Sequence, residues 1–81
     1  MPKLPRDIDG LDLAKSLKKF GYSVIRQTGS HMRLLCTKDG MNHFITIPAH
    51  SPLKVGTLNS ILDDVATFLS ISKEDLVNTL F

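Results

Sequence analysis

Eighty-one residues can bury only about 60 to 65% of the surface their unfolded chain exposes, which leaves room for one hydrophobic core and not for two. With 42% apolar and 22% charged residues, no low-complexity tract, no run long enough to span a membrane and no signal-peptide stretch in MPKLPRDIDG, the composition reads as a globular cytoplasmic protein. The net charge is only +2, yet over residues 13–54 Lys15, Lys18, Lys19, Arg26, Arg33, Lys38 and Lys54 face Asp39 alone, while over residues 55–81 Lys73 faces Asp63, Asp64, Glu74 and Asp75; the asymmetry points to a polyanion site.

The segment DGLDLAKSLKKFG reads as an amphipathic helix. Asp9 is its expected N-cap, Asp12 suits its positive end, and Leu13, Ala14, Leu17 and Phe20 recur at helical spacing. Gly21 stops it, and Lys15, Lys18 and Lys19 fall off the stripe toward solvent. Two extended runs follow, Tyr22–Thr28 and His31–Thr37, joined by Gly29-Ser30, the two-residue connection with glycine first that marks a type II′ hairpin. GSHM, residues 29–32, also spells the remnant of a cleaved purification tag. Such a remnant belongs at a chain start, and 28 residues precede this one, so it is native.

In the register set by that turn, Thr28 faces His31, Gln27 faces Met32, Arg26 faces Arg33, Ile25 faces Leu34 and Val24 faces Leu35. Ser23, Ile25, Gln27, Met32, Leu34 and Cys36 then form a face suited to lying under helices. Tyr22, Val24, Arg26, Thr28, His31, Arg33, Leu35 and Thr37 form the other. Cys36 is the only cysteine, which rules out an intramolecular disulfide and a multi-thiolate metal site; on the covered face it reads as a buried thiol. KDGM turns the chain into a third strand, NHFITIP, with Leu34 opposite Ile45, Met32 opposite Ile47, Thr46 near Arg33 and Pro48 near His31. The loop AHSPLKV carries His50 back toward the same sheet edge. Thr57–Phe68 forms the second main helix through Leu58, Ile61, Leu62, Val65 and Phe68, and Ser72 caps a short last helix carrying Leu76, Val77 and Leu80. The fold class is α+β, α-β-β-β-α with a three-stranded antiparallel sheet and a short extra C-terminal helix. Both main helices cover one face and leave the arginine face open.

Arg26 opposite Arg33 is a like-charge pair that costs a few tenths of a kcal/mol or more. A phosphate between the guanidinium groups would turn that repulsion into bidentate recognition, whereas in its absence both side chains splay into water. His31, after the turn and on the same face, is the best placed of three histidines for proton transfer. RNA supplies its own nucleophile, the 2′-hydroxyl. A base for that proton, cations for the phosphorane and a proton for the leaving oxygen complete a cleavage that requires no metal and no cofactor. Metal hydrolysis fits less well, since Asp63-Asp64 and Glu74-Asp75 lie away from the histidines and neither HExxH nor CxxC occurs. Taken singly, a histidine at this position is more often a polar residue flanking a turn than a catalyst.

The run FGYSVIRQTGSH, then IPAH, then GTLNSIL resembles the HicA (YcfA-like) toxin family over roughly Gly10 to Ser70, most specifically at Arg26, Gln27, Gly29, Ser30, His31, Pro48, His50 and Gly56–Leu58. The resemblance implies a fold like that of double-stranded-RNA-binding domains, with residues 1–9 as an extension and 10–81 as a single domain. It further implies the toxin component of a type II toxin-antitoxin system, a metal-independent endoribonuclease acting on mRNA and inhibited by a HicB-type antitoxin. Its catalytic histidine maps onto His31. Relatives carry basic or amide residues along the GTL helix where this chain has Asn59, Asp63 and Asp64, so Lys18 and Lys19 take up phosphate contacts instead.

The expected site is therefore His31 as general acid/base, with Arg26, Arg33, Lys18, Lys19, Ser30 and His50 toward RNA and Gly29 setting the turn. The chain is expected to be a monomer alone and a hetero-oligomer with its antitoxin. The alternatives are a non-catalytic RNA-binding module and a protein-interaction domain using the acidic C-terminal third.

Overall fold

The computed structural model of the chain describes residues 7–81; the first six residues of the expected 1–9 extension, Lys3 and Arg6 with them, lie outside the described residues. Helix α1 (Gly10–Leu17) tightens into a 3₁₀ turn at Lys18–Phe20 and ends at Gly21, whose φ of +94° lies in the region that favours glycine. Leu13, Ala14 and Leu17 point inward as the periodicity requires. Asp9 holds the N-cap position with an extended backbone, but its carboxylate does not cap the helix. It accepts the Ser51 hydroxyl at 2.6 Å and so ties the helix start to the loop after the third strand. Gly10 seals the same junction: its N–H donates to the His50 carbonyl at 3.0 Å, and a Cβ there would lie 1.9 Å from the Pro48 carbonyl oxygen.

Strands β1 (Ser23–Thr28), β2 (His31–Lys38) and β3 (Met41–Pro48) form an antiparallel sheet in sequence order. At the first turn Gly29 has φ +57° while Ser30 keeps an ordinary φ, as a type II′ turn demands. At the second, Asp39 and Gly40 both have positive φ, the mark of type I′. The β2–β3 register is the expected one throughout, with Leu34 opposite Ile45, Met32 opposite Ile47, Arg33 opposite Thr46 and His31 opposite Pro48.

The β1–β2 register departs from expectation at one point. Arg26↔Arg33, Gln27↔Met32 and Thr28↔His31 pair as anticipated, but a bulge at Ile25 puts Val24, not Ile25, opposite Leu34 and Ser23 opposite Leu35. One extra residue reverses the facing of everything before it. Tyr22, expected on the open face, is instead buried at 1% exposure, and Ile25, expected under the helices, is 50% exposed. Ser23 and Gln27 are also exposed, so all of β1 is an uncovered edge strand. Inside, the Tyr22 hydroxyl and His43 Nδ1 share a hydrogen bond of 2.6 Å, and the His43 ring stacks on Phe68 with centroids 4.6 Å apart. Burial pushes the Tyr22 phenol well above its ordinary pKa.

Helix α2 (Val55–Leu69) starts two residues earlier than the sequence marks it, because Lys54 and not Gly56 takes the extended N-cap conformation. Helix α3 (Lys73–Leu80) is capped as expected by Ser72, whose Oγ accepts the Asp75 N–H at 3.0 Å. The fully buried Leu13, Leu17, Leu34, Ile47, Leu58, Leu62 and Leu76 fill the space between helices and sheet, each contributing about 1.5–3 kcal/mol by leaving water. Lys73 reaches back from α3 to the Asp63 carboxylate at 3.0 Å and to the Asn59 side-chain carbonyl. Cys36 is buried, and its S–H donates to the Phe20 carbonyl at 3.4 Å; burial pushes its thiol pKa up. Among the described residues no helix is long and apolar enough to cross a membrane.

Candidate functional site

The helices pack on the face carrying Met32, Leu34, Ile45 and Ile47, and the other face remains exposed at Arg26, Thr28, His31, Arg33, Phe44 and Thr46. Alternation therefore delivers these six side chains to one surface, and the register fixes their neighbours. Arg26 stands directly across from Arg33, and His31 stands opposite Thr28 two pairs nearer the turn. Arg26, Thr28, His31, Arg33 and Thr46 line one shallow concavity of about 190 Å³. Neither arginine has a carboxylate partner among the described residues. Arg33 is the better anchored, since its Nη1 donates to Thr46 Oγ1 at 3.3 Å and its guanidinium lies 5.0 Å from the centre of the Phe44 ring.

This surface holds an imidazole beside two guanidinium groups that form no salt bridge among the described residues. Among the described residues no three histidine, cysteine or carboxylate side chains come together as metal ligands would.

The other expected residues fall elsewhere. Gly29 and Ser30 form the turn, and the Ser30 carbonyl accepts the Ala49 N–H, which keeps the chain after β3 beside His31. His50 lies just beyond that bond and is exposed, but its side chain is not among those lining the concavity, so the expected approach of the two histidines is not seen there. Lys18 and Lys19 are exposed on the 3₁₀ turn after α1, in the helical layer, and do not line the concavity either.

A second, larger concavity of about 500 Å³ adjoins the first through Arg33 and Thr46. It continues along the edge of β3 past Phe44 and Pro48 to Gly56, Thr57, Ser60 and Asp64 of α2. In the sequence, Gly56, Thr57 and Asp64 stand out through the family resemblance, with the α2 helix set aside as an RNA contact; nothing there places them, or Ser60, beside the open face. The available signal was the i, i+4, i+8 spacing of Gly56, Ser60 and Asp64, a polar stripe of small and acidic residues beside the apolar one.

An antiparallel sheet backed by two helices and a short third, with a cationic face left open, defines a small α+β protein with an anion-complementary surface. Residues 10–66 match the family described as the HicA toxin of bacterial toxin-antitoxin systems, and the chain belongs to that family. No curated protein and no solved structure compared with the chain matches it.

Proposed function

We propose that the chain is a metal-independent endoribonuclease acting on mRNA from the open sheet face, and the toxin that a HicB-type antitoxin neutralises. The observation that carries this proposal is the pairing of Arg26 with Arg33, both without carboxylate partners, in one concavity with His31. Fixed cations a strand apart favour a phosphate that gains negative charge in the transition state. His31 takes the 2′-hydroxyl proton as the 2′ oxygen bonds to phosphorus; the bond to the 5′ oxygen breaks, and that oxygen leaves with a proton. The products are a 2′,3′-cyclic phosphate and a 5′-hydroxyl. One imidazole placed in this way supplies about 10²–10⁴ in rate. Residues 10–81 act as the single functional domain, and the monomer forms a hetero-oligomer with its antitoxin.

A second reading, an RNA-binding module without catalysis, is favoured by the single imidazole in the concavity, since the reaction moves two protons. Expression in bacteria tests both. Growth arrest that His31→Ala relieves while the variant stays folded, and that a co-expressed HicB-type partner suppresses, supports the nuclease; arrest undiminished in the folded variant removes His31 from the chemistry.

A further inference from the structure

The groove beside α2 has no part in the phosphate chemistry, yet it opens directly from it. Phe44, Thr46 and Pro48 of β3 line it on one side, and Gly56, Thr57, Ser60 and Asp64 of α2 line it on the other. Arg33 and Thr46 line both this groove and the concavity that holds Arg26 and His31, so a chain whose phosphate sits at Arg26 and Arg33 can lay its neighbouring nucleoside in the groove. Phe44 is 46% exposed even with Arg33 across it, and ring and guanidinium together make the planar platform on which unstacked RNA bases settle. Asp64 supplies the groove's one carboxylate. Lys73 engages its neighbour Asp63, and no cation pairs with Asp64 among the described residues.

We infer that this groove is a base-recognition subsite for guanine, with Phe44 and Arg33 stacking on the base and the Asp64 carboxylate accepting from its Watson–Crick edge. The inference rests on the proposed RNA reading of the open face. Guanine alone presents two adjacent donors, N1–H and the N2 amino group, to the two oxygens of a carboxylate. Cytosine and adenine place an acceptor beside their single amino donor, and uracil flanks its one N–H with two carbonyls, so each meets the carboxylate with repulsion.

The test uses the full chain and short single-stranded RNAs that carry a 2′-O-methyl group at every nucleotide and so resist cleavage. Four of them differ only in the base next to the central phosphate, and binding is measured with the protein and with Asp64→Asn. The guanine oligonucleotide is expected to bind at least about fivefold more tightly than the others, the lower bound for one bidentate pair. Asp64→Asn should weaken guanine binding and strengthen the other three, because a repulsive charge has gone. Equal affinity for all four bases, or a uniform gain in Asp64→Asn, overturns the subsite but leaves the nuclease assignment standing if unmodified RNA is still cut in a His31-dependent manner. Failure to bind any of the four overturns the subsite, and failure to cut as well overturns the assignment on which it rests.

Discussion

Arg26→Gln should stabilise the fold while it weakens RNA binding. Arg26 and Arg33 are directly opposed across β1 and β2, with no carboxylate partner among the described residues. A like-charge cross-strand pair costs about 0.2–1 kcal/mol, and removing one charge recovers most of it. For 81 residues the unfolding entropy near 60 °C is about 170 cal/mol/K, so the midpoint rises by about 1–6 °C. Arg26 is the better choice because Arg33 also donates to Thr46 and lies over Phe44, and truncating it mixes relief of repulsion with loss of those contacts. The gain should shrink as salt screens the pair, and the salt dependence of RNA affinity should fall by about 0.7 in logarithmic slope, the mark of one lost phosphate contact on a single strand. Thermal unfolding at two ionic strengths, with a salt titration of RNA binding, reads both effects. A lower melting point together with unchanged RNA affinity would refute the idea that the pair is kept for an anion.

Three further outcomes concern the scaffold. Gly10→Ala forces a Cβ to 1.9 Å from the Pro48 carbonyl oxygen and should cost about 1–3 kcal/mol or more in denaturant unfolding, since backbone on both sides must move. Ser72→Ala removes the oxygen that accepts the Asp75 N–H and should cost about 1 kcal/mol by the same assay. Burial raises Tyr22 and Cys36 above their ordinary pKa values of 10.0 and 9.0, so at high pH the unfolded chain releases these protons before the folded one does. Their contribution to stability is complete below about pH 9 and falls as pH rises, by up to about 1.4 kcal/mol per pH unit per group. In Tyr22→Phe the Tyr22 share of that alkaline slope should vanish; an unchanged slope would assign it to other groups.

How much of this was visible in the residues depended on whether a pattern was local. The turns at Gly29 and Asp39-Gly40 follow from which residues tolerate positive φ, and the β2–β3 register follows from alternation that buries Met32 and Leu34 against Ile45 and Ile47. The bulge at Ile25 left no such trace, because an apolar residue in a strand looks like a core residue, and the error carried through to Tyr22. The concavity around His31 follows from the first hairpin and from the register that sets Thr46 of β3 opposite Arg33. The groove walled by Gly56, Ser60 and Asp64 depends on how α2 lies against the edge of β3, a tertiary fact that no single segment encodes.

The central claim, that His31 drives RNA cleavage on the open face without a metal, is tested most directly by digesting a defined RNA in excess chelator with the protein and with a folded His31→Ala variant, and determining the new ends. The account predicts a 2′,3′-cyclic phosphate and a 5′-hydroxyl, with the rate at least about a hundredfold lower in the variant. Cleavage that stops in chelator, that leaves a 5′-phosphate, or that proceeds at the same rate without His31 would contradict it.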